Sequence, residues 1–260
     1  MILHNRQHWL LLTGLVGVLV GGTPSALAQT PATNAVPEKK PRWESFAEAG
    51  LTLSQGNSET LLATARIGTG KKWDKNEISL GAGGAYGETK DQATGKNTVN
   101  TEVGNVFAQY NRLFSEQLYG YARAEGYHDG VADIDYRVTL SPGLGYYFIK
   151  TKATLLSAEV GPGYVFEKKG GQQDDYATVR FGEKLEHKFN DRVRIWEWVE
   201  YLPQVEDFNN YILNAEIGVE SSLSKALNLR VYVVDTYNSV PAPGRKKNDV
   251  KLVAALGVKF

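Results

Sequence analysis

From Trp43 to Phe260 the chain alternates in polarity with a period of two, in segments of about ten to sixteen residues set off by turn residues. Val250, Leu252, Ala254, Leu256, Val258 and Phe260 share one parity, against Lys251, Ala255, Gly257 and Lys259. Tyr211, Leu213, Ala215, Ile217, Val219 and Leu223 stand likewise against Asn214, Glu216 and Glu220. Tyr136, Val138, Leu140, Pro142, Leu144, Tyr146 and Phe148 oppose Asp135, Arg137, Thr139, Gly143 and Gly145. A period of two is that of a strand with chemically distinct faces. No helical stretch and no apolar run long enough for a membrane helix interrupts it.

The pattern predicts strands near 43–54, 59–73, 77–88, 97–113, 117–128, 134–149, 153–168, 176–189, 192–203, 211–223, 226–238 and 248–260. The links alternate. Asp74–Asn76, Ser115–Glu116, Lys150–Lys152, Asn190–Asp191 and Ser224–Lys225 are tight. Glu88–Lys96, Asp129–Asp133, Lys169–Asp175, Gln204–Asn210 and Ser239–Lys247 are longer and more polar, and only Gln55–Ser58 is short on that side. An even number of strands, tight turns at one end and long loops at the other predict an all-β transmembrane antiparallel up-and-down barrel of about twelve strands. A soluble sandwich needs strands of about five to six residues, whereas these match a tilted crossing of about 9–11. Closure also pairs every backbone polar group in lipid.

Aromatic residues gather at the predicted strand ends. Trp43, Trp73, Phe114, Tyr119, Phe148, Phe189 and Phe260 lie near the tight turns. Tyr86, Tyr127, Tyr136, Tyr164, Phe166, Tyr176, Tyr201, Tyr211 and Tyr237 lie near the long loops. Two such girdles are expected at two membrane interfaces, with outer-membrane lipid as the partner.

The N-terminus predicts export. Arg6, the apolar run from Trp9 to Val20 and Ala26-Leu27-Ala28 form a basic region, an apolar core and a small-residue cleavage site over residues 1–28. A membrane anchor would need about 20 apolar residues, and this run is shorter and ends near Pro24. Residues 29–42, with three prolines and no aromatic, read as a flexible periplasmic tether before a barrel over 43–260.

Composition removes several classes. With no cysteine there is no disulfide scaffold, thiolate zinc site, cysteine nucleophile or lipidated N-terminal cysteine. A net charge of zero gives no basic excess for nucleic acid. No phosphate loop, dinucleotide fingerprint or paired-histidine zinc motif is present, and no cofactor is predicted. Beyond the N-terminal segment only His128 and His187 remain. His128 with Asp129, Asp133 and Asp135 is the one group a surface hydrolase or a loop metal would use, and acids are ordinary in exposed loops.

Turning the polar parity inward predicts a lumen with Glu44, Glu48, Glu102, Glu125, Asp135, Glu159, Glu167, Glu186, Glu216 and Glu220. It adds Arg66, Arg112, Arg123, Arg137, Arg180, Lys184, Lys188, Arg230 and Lys251. Near-neutral mixing points to internal ion pairs rather than to selectivity for one sign, with Asp135/Arg137 and Arg123/Glu125 as same-face neighbours. Lumen glycines such as Gly68, Gly81, Gly83, Gly143, Gly145, Gly161 and Gly163 either leave space or let large neighbours pack. Three places resist. A bulge is expected near Gly104-Asn105, Glu183 falls on the lipid parity, and strand 192–203 has no clear inner face.

Gly56-Asn57-Ser58-Glu59-Thr60, Asp133-Ile134-Asp135-Tyr136-Arg137, Gly143-Leu144-Gly145-Tyr146 and Glu159-Val160-Gly161-Pro162-Gly163-Tyr164, in this order, resemble the DUF481 family of outer-membrane proteins. The resemblance spans about residues 43–260, and the family includes a salt-stress-induced outer-membrane protein of enteric bacteria. It implies an outer-membrane barrel of a Gram-negative bacterium and leaves activity open. The terminal alternation ending in Phe260 resembles the signal read by the barrel-assembly machinery. The expected function is a monomeric, non-catalytic envelope or osmotic-stress barrel with a narrow or charge-plugged lumen. The alternatives are a narrow channel for small hydrophilic solutes or ions and, further off, a surface hydrolase.

Overall fold

The computed structural model describes residues 42–54, 58–91 and 95–260. The predicted signal and tether, and the Gly56-Asn57 part of the first motif, lie outside the described residues.

Twelve strands follow one another: β1 (Trp43–Ser54), β2 (Ser58–Trp73), β3 (Asn76–Asp91), β4 (Asn97–Leu113), β5 (Leu118–Asp129), β6 (Ile134–Lys150), β7 (Thr154–Lys169), β8 (Gln172–Lys188), β9 (Val193–Pro203), β10 (Tyr211–Ser222), β11 (Leu227–Asn238) and β12 (Asn248–Lys259). Each pairs antiparallel with its neighbour, and β1 pairs with β12 to close the barrel. Phe260 completes that seam, exchanging backbone hydrogen bonds with Ser45 at 3.0 Å in both directions.

The outer wall is apolar because the alternating sequence makes it so. Leu51, Ile67, Leu80, Val106, Leu140, Leu144, Val160, Phe181, Ile217, Val231, Leu252 and Leu256 are all exposed on it. An aqueous protein would bury such a belt; a membrane barrel presents it to acyl chains. Inward positions hold the buried polar groups, among them Glu48, Arg137, Glu167, Arg180, Glu200, Glu216, Glu220 and Arg230.

Four register shifts interrupt the ladders of the described residues, and two of them bear on the predicted inner faces. The β3–β4 ladder passes from Gly87↔Thr101 to Glu88↔Val99, so Asn100 is the extra residue. The bulge therefore precedes Gly104-Asn105, and from Thr101 to Leu113 the register runs unbroken. The β6–β7 ladder steps from Ile134↔Lys169 to Tyr136↔Lys168, leaving Asp135 as the extra residue. The link expected over Lys169–Asp175 is instead a two-residue turn at Gly170-Gly171, with φ of 59° and 74°. Positive φ at both centres matches the twist of the flanking strands, and glycine adopts it without strain.

Candidate functional site: the charged lumen

Strands from round the barrel send charged groups inward to three clusters. In the first, Glu48 is bound by Arg230 and accepts a hydrogen bond from the Tyr232 hydroxyl at 2.9 Å. Arg66 reaches across to Glu216 at 3.0 Å, and Trp196 Nε1 donates to the same carboxylate at 2.7 Å. Glu220 takes Arg194 at 2.9 Å, Arg230 at 3.7 Å and the Lys259 ammonium.

The second cluster centres on Arg180, which bridges Glu200 at 2.5 Å and Glu159 at 2.7 Å. Glu159 also accepts from Gln109 at 2.7 Å and Tyr119 at 3.0 Å. Arg123 pairs with Glu125 at 2.7 Å and lies 3.9 Å from Glu200, which joins the two pairs. The third lies at the loop end, where Arg137 and Lys169 hold Glu167 at 2.7 and 3.0 Å.

Every arginine in these clusters also stands over an aromatic ring. Arg66 lies 5.0 Å from the centroid of Tyr232, Arg123 4.8 Å from Phe107 and Arg137 6.0 Å from Tyr127. Arg180 lies 5.2 Å from Tyr121, and Arg194 and Arg230 lie 5.6 and 4.4 Å from Trp196. A guanidinium with a carboxylate at its edge and a ring on its face has few hydration sites left to lose, which lowers the cost of burying it. The rings in turn stand over glycines. A Cβ on Gly145 would lie 2.2 Å from the Tyr119 ring, and one on Gly218 2.3 Å from Trp196.

Of the sequence-predicted lumen set, Arg66, Arg123, Glu125, Arg137, Glu159, Arg180, Glu216, Glu220 and Arg230 come together in these clusters. Asp135, Glu102 and Arg112 are set elsewhere. Asp135, the bulge residue, is exposed and pairs with Lys168 at 2.7 Å at the rim. Glu102 and Arg112 share the outward parity of Val106 and Tyr110, because the earlier bulge and the unbroken register put Phe107 and Gln109 inside. Arg112 bonds Asn76 at 2.9 Å on that outer face.

Strand β9 resolves the other way from its apolar look. Arg194, Trp196, Trp198 and Glu200 face inward, while Glu197 faces out, as does Glu183 on β8. Sequence reading missed Glu200, Arg194, Glu77, Lys72, Lys150 and Lys259 as lumen groups. The Arg194/Trp196 spacing is the signal that was available for the first two: a base and a ring two residues apart share a face.

Trp43, Tyr86, Tyr136, Tyr164 and Phe260 are exposed on the outer wall, and Trp73 and Tyr211 lie half-buried there. Lys71 sits between Trp43 and Trp73, 5.8 Å from each ring. Tyr119, Tyr127 and Tyr176 do not join these girdles: they point inward, to Glu159, Asp129 and Glu167. His128 and the loop acids stay apart. Its Nδ1 lies 2.9 Å from the Asp135 carbonyl, and Asp129 accepts from Tyr127 and from the Ala132 amide. Among the described residues no three His, Asp or Glu side chains converge as metal ligands would.

A closed, even-stranded antiparallel barrel with an apolar outside and a charged inside is a β-barrel of the outer-membrane type. The chain belongs to the DUF481 family, described as a protein of unknown function, whose sequence profile matches residues 47–260. Among solved structures the fold is similar to the NanC porin, with a TM-score of 0.50 and 11% identity over 83% of this chain and 98% of that one. The translocator domain of the autotransporter NalP from Neisseria meningitidis gives 0.45 and 14% identity, over 85% of this chain and 87% of that one. The KdgM porin gives 0.43 and 10%, over 84% and 98%. These likenesses concern the fold alone. Comparison with curated protein sequences gives no match.

Proposed function

We propose that the chain is a non-catalytic outer-membrane barrel of the bacterial envelope, serving integrity or osmotic adaptation, whose lumen is sealed against solute flow by its own charges. The burial of Glu48, Arg180, Glu200, Glu216, Glu220 and Arg230 carries this reading. A conducting lumen wets the charges that line it; these six are buried and paired with opposite charges or ring donors. In this reading residues 1–28 direct export and are removed, and the barrel inserts as a monomer into the outer membrane of a Gram-negative cell. The barrel-assembly machinery reads its last strand through Phe260, and Trp43, Trp73, Tyr86, Tyr136, Tyr164 and Tyr211 settle at the two lipid interfaces.

One observation favours the alternative, a narrow porin-like path for small hydrophilic solutes. Arg66 keeps 29% of its side chain exposed, on a wall where Gly83 stands beside it in place of a larger residue. Single-channel recording of the refolded mature chain in a planar bilayer separates the two. A folded but silent barrel supports the seal; stable open steps with measurable ion selectivity overturn it in favour of the channel.

A further inference from the structure

The two ends of the lumen differ. At the loop end the inward groups Ile134, Val165, Glu167, Tyr176, Leu202 and Ile212 are buried. The β11–β12 loop reaches to the β7–β8 turn there: Lys169 Nζ donates to the Val240 carbonyl at 2.9 Å. Ala242 is buried against Gly170, where a Cβ would stand 3.3 Å from its own.

At the turn end the basic groups stay wet. Lys72, Lys184 and Lys259 keep 66%, 54% and 43% of their side chains exposed. The acids they touch are sunk behind them. Glu77, at 10%, lies 3.5 Å from Lys72 and 3.6 Å from Lys150. Glu186 lies 2.9 Å from Lys184 and 3.2 Å from Arg194, and Glu220 is shared by Arg194 and Lys259. Lys72 on β2 and Glu186 on β8 stand on opposite sides of the closed barrel, both at the turn end. Glu44 and Lys188, both exposed, complete the inward charges at that rim.

From this asymmetry we infer that the lumen is a cup, blind at the loop end, whose lysine-rimmed mouth at the turn end binds a small multivalent anion. Three carboxylates, Glu77, Glu186 and Glu220, are shared among five cations, Lys72, Lys150, Lys184, Arg194 and Lys259, which leaves an excess of positive charge at the mouth. An anion with several oxygens and more than one charge answers that excess better than chloride, which carries a single charge. The inference rests on the sealed lumen proposed above only in that the ligand enters and leaves by the same end.

The test is isothermal titration of the detergent-solubilised barrel with inorganic pyrophosphate, chloride serving as the monovalent comparison. Saturable one-to-one binding is expected, weakening steeply with salt and by about ten-fold for each of Lys72→Met and Lys184→Met. Lys225→Met, on a turn outside the lumen, should leave it unchanged. Absence of saturable binding, equal binding by the lumen variants, or equal loss with Lys225→Met overturns the cup. Binding is read without conduction, so open channel steps alongside lysine-dependent binding refute the seal and leave the anion site standing.

Discussion

Arg180→Met removes the cation that joins two buried carboxylates while keeping most of the side-chain volume. Arg180 is bonded to Glu200 at 2.5 Å and to Glu159 at 2.7 Å, and all three are largely out of solvent. Breaking a buried pair by deleting one partner costs about 3–5 kcal/mol, because the other charge stays behind uncompensated. The structure tempers that figure. Glu159 keeps Gln109 and Tyr119 as donors, and Glu200 keeps Asn214 at 3.3 Å and the more distant Arg123. A net loss of about 3 kcal/mol is expected, falling mainly on Glu200.

The assay is urea unfolding of the refolded barrel in lipid vesicles, followed by tryptophan fluorescence. The double variant Arg180→Met/Glu200→Met decides the cause. If the loss comes from a stranded charge, removing that charge as well should restore stability to within about 1 kcal/mol of the parent, a coupling of ~2 kcal/mol or more. A single variant within about 0.5 kcal/mol of the parent, or a double variant that equals the sum of the singles, refutes the view that these charges pack the lumen as matched pairs.

The remaining predictions use the same unfolding measurement or its cellular counterpart. Gly145→Ala should lose about 1–3 kcal/mol because its methyl meets the buried Tyr119 ring, whereas Gly104→Ala, with nothing within 4 Å, should change stability by less than ~0.5 kcal/mol. Glu183→Leu should stabilise the vesicle-embedded barrel by about 1–2 kcal/mol, since it takes a carboxylate off the outer wall; a neutral or destabilising result would mean that another group covers it. Phe260→Ala keeps the backbone bonds to Ser45 and should lower only assembly in cells, while deletion of Phe260 should lower refolding in vesicles as well.

The barrel could be read from the sequence because its two faces meet different solvents. Lipid demands an unbroken apolar parity, so β12, β10 and the stretch of β6 from Tyr136 to Phe148 declare themselves residue by residue. The lumen makes no such uniform demand. Phe107 faces inward beneath Arg123, and Trp196 beneath Arg230 and Arg194, so in β4 and β9 both parities look apolar and the inner face is disguised. Bulges cost more legibility still. One extra residue at Asn100 or Asp135 exchanges the faces of everything on one side of it, and no local composition marks either position. The Asp135 bulge is why alternation counted from Arg137 places Asp135 inward, whereas Glu102 falls inward on polarity alone because Phe107 hides the true inner face of β4.

The glycines decide what fills the barrel. Phe46 stands where a side chain on Gly68 would be, Phe107 on Gly81, Tyr119 on Gly145 and Trp196 on Gly218. Volume withheld at one position is occupied by a ring from a neighbouring strand, and Arg123, Arg194 and Arg230 lie on three of those rings. Charge and volume are therefore handled by different residues. Removing a matched Arg–Glu pair would leave the rings in place. Truncating a ring over a glycine would leave a void beside charged groups, which water enters readily. If the lumen is sealed as proposed, opening it takes the removal of rings such as Phe46 or Trp196 together with the charges that lie on them.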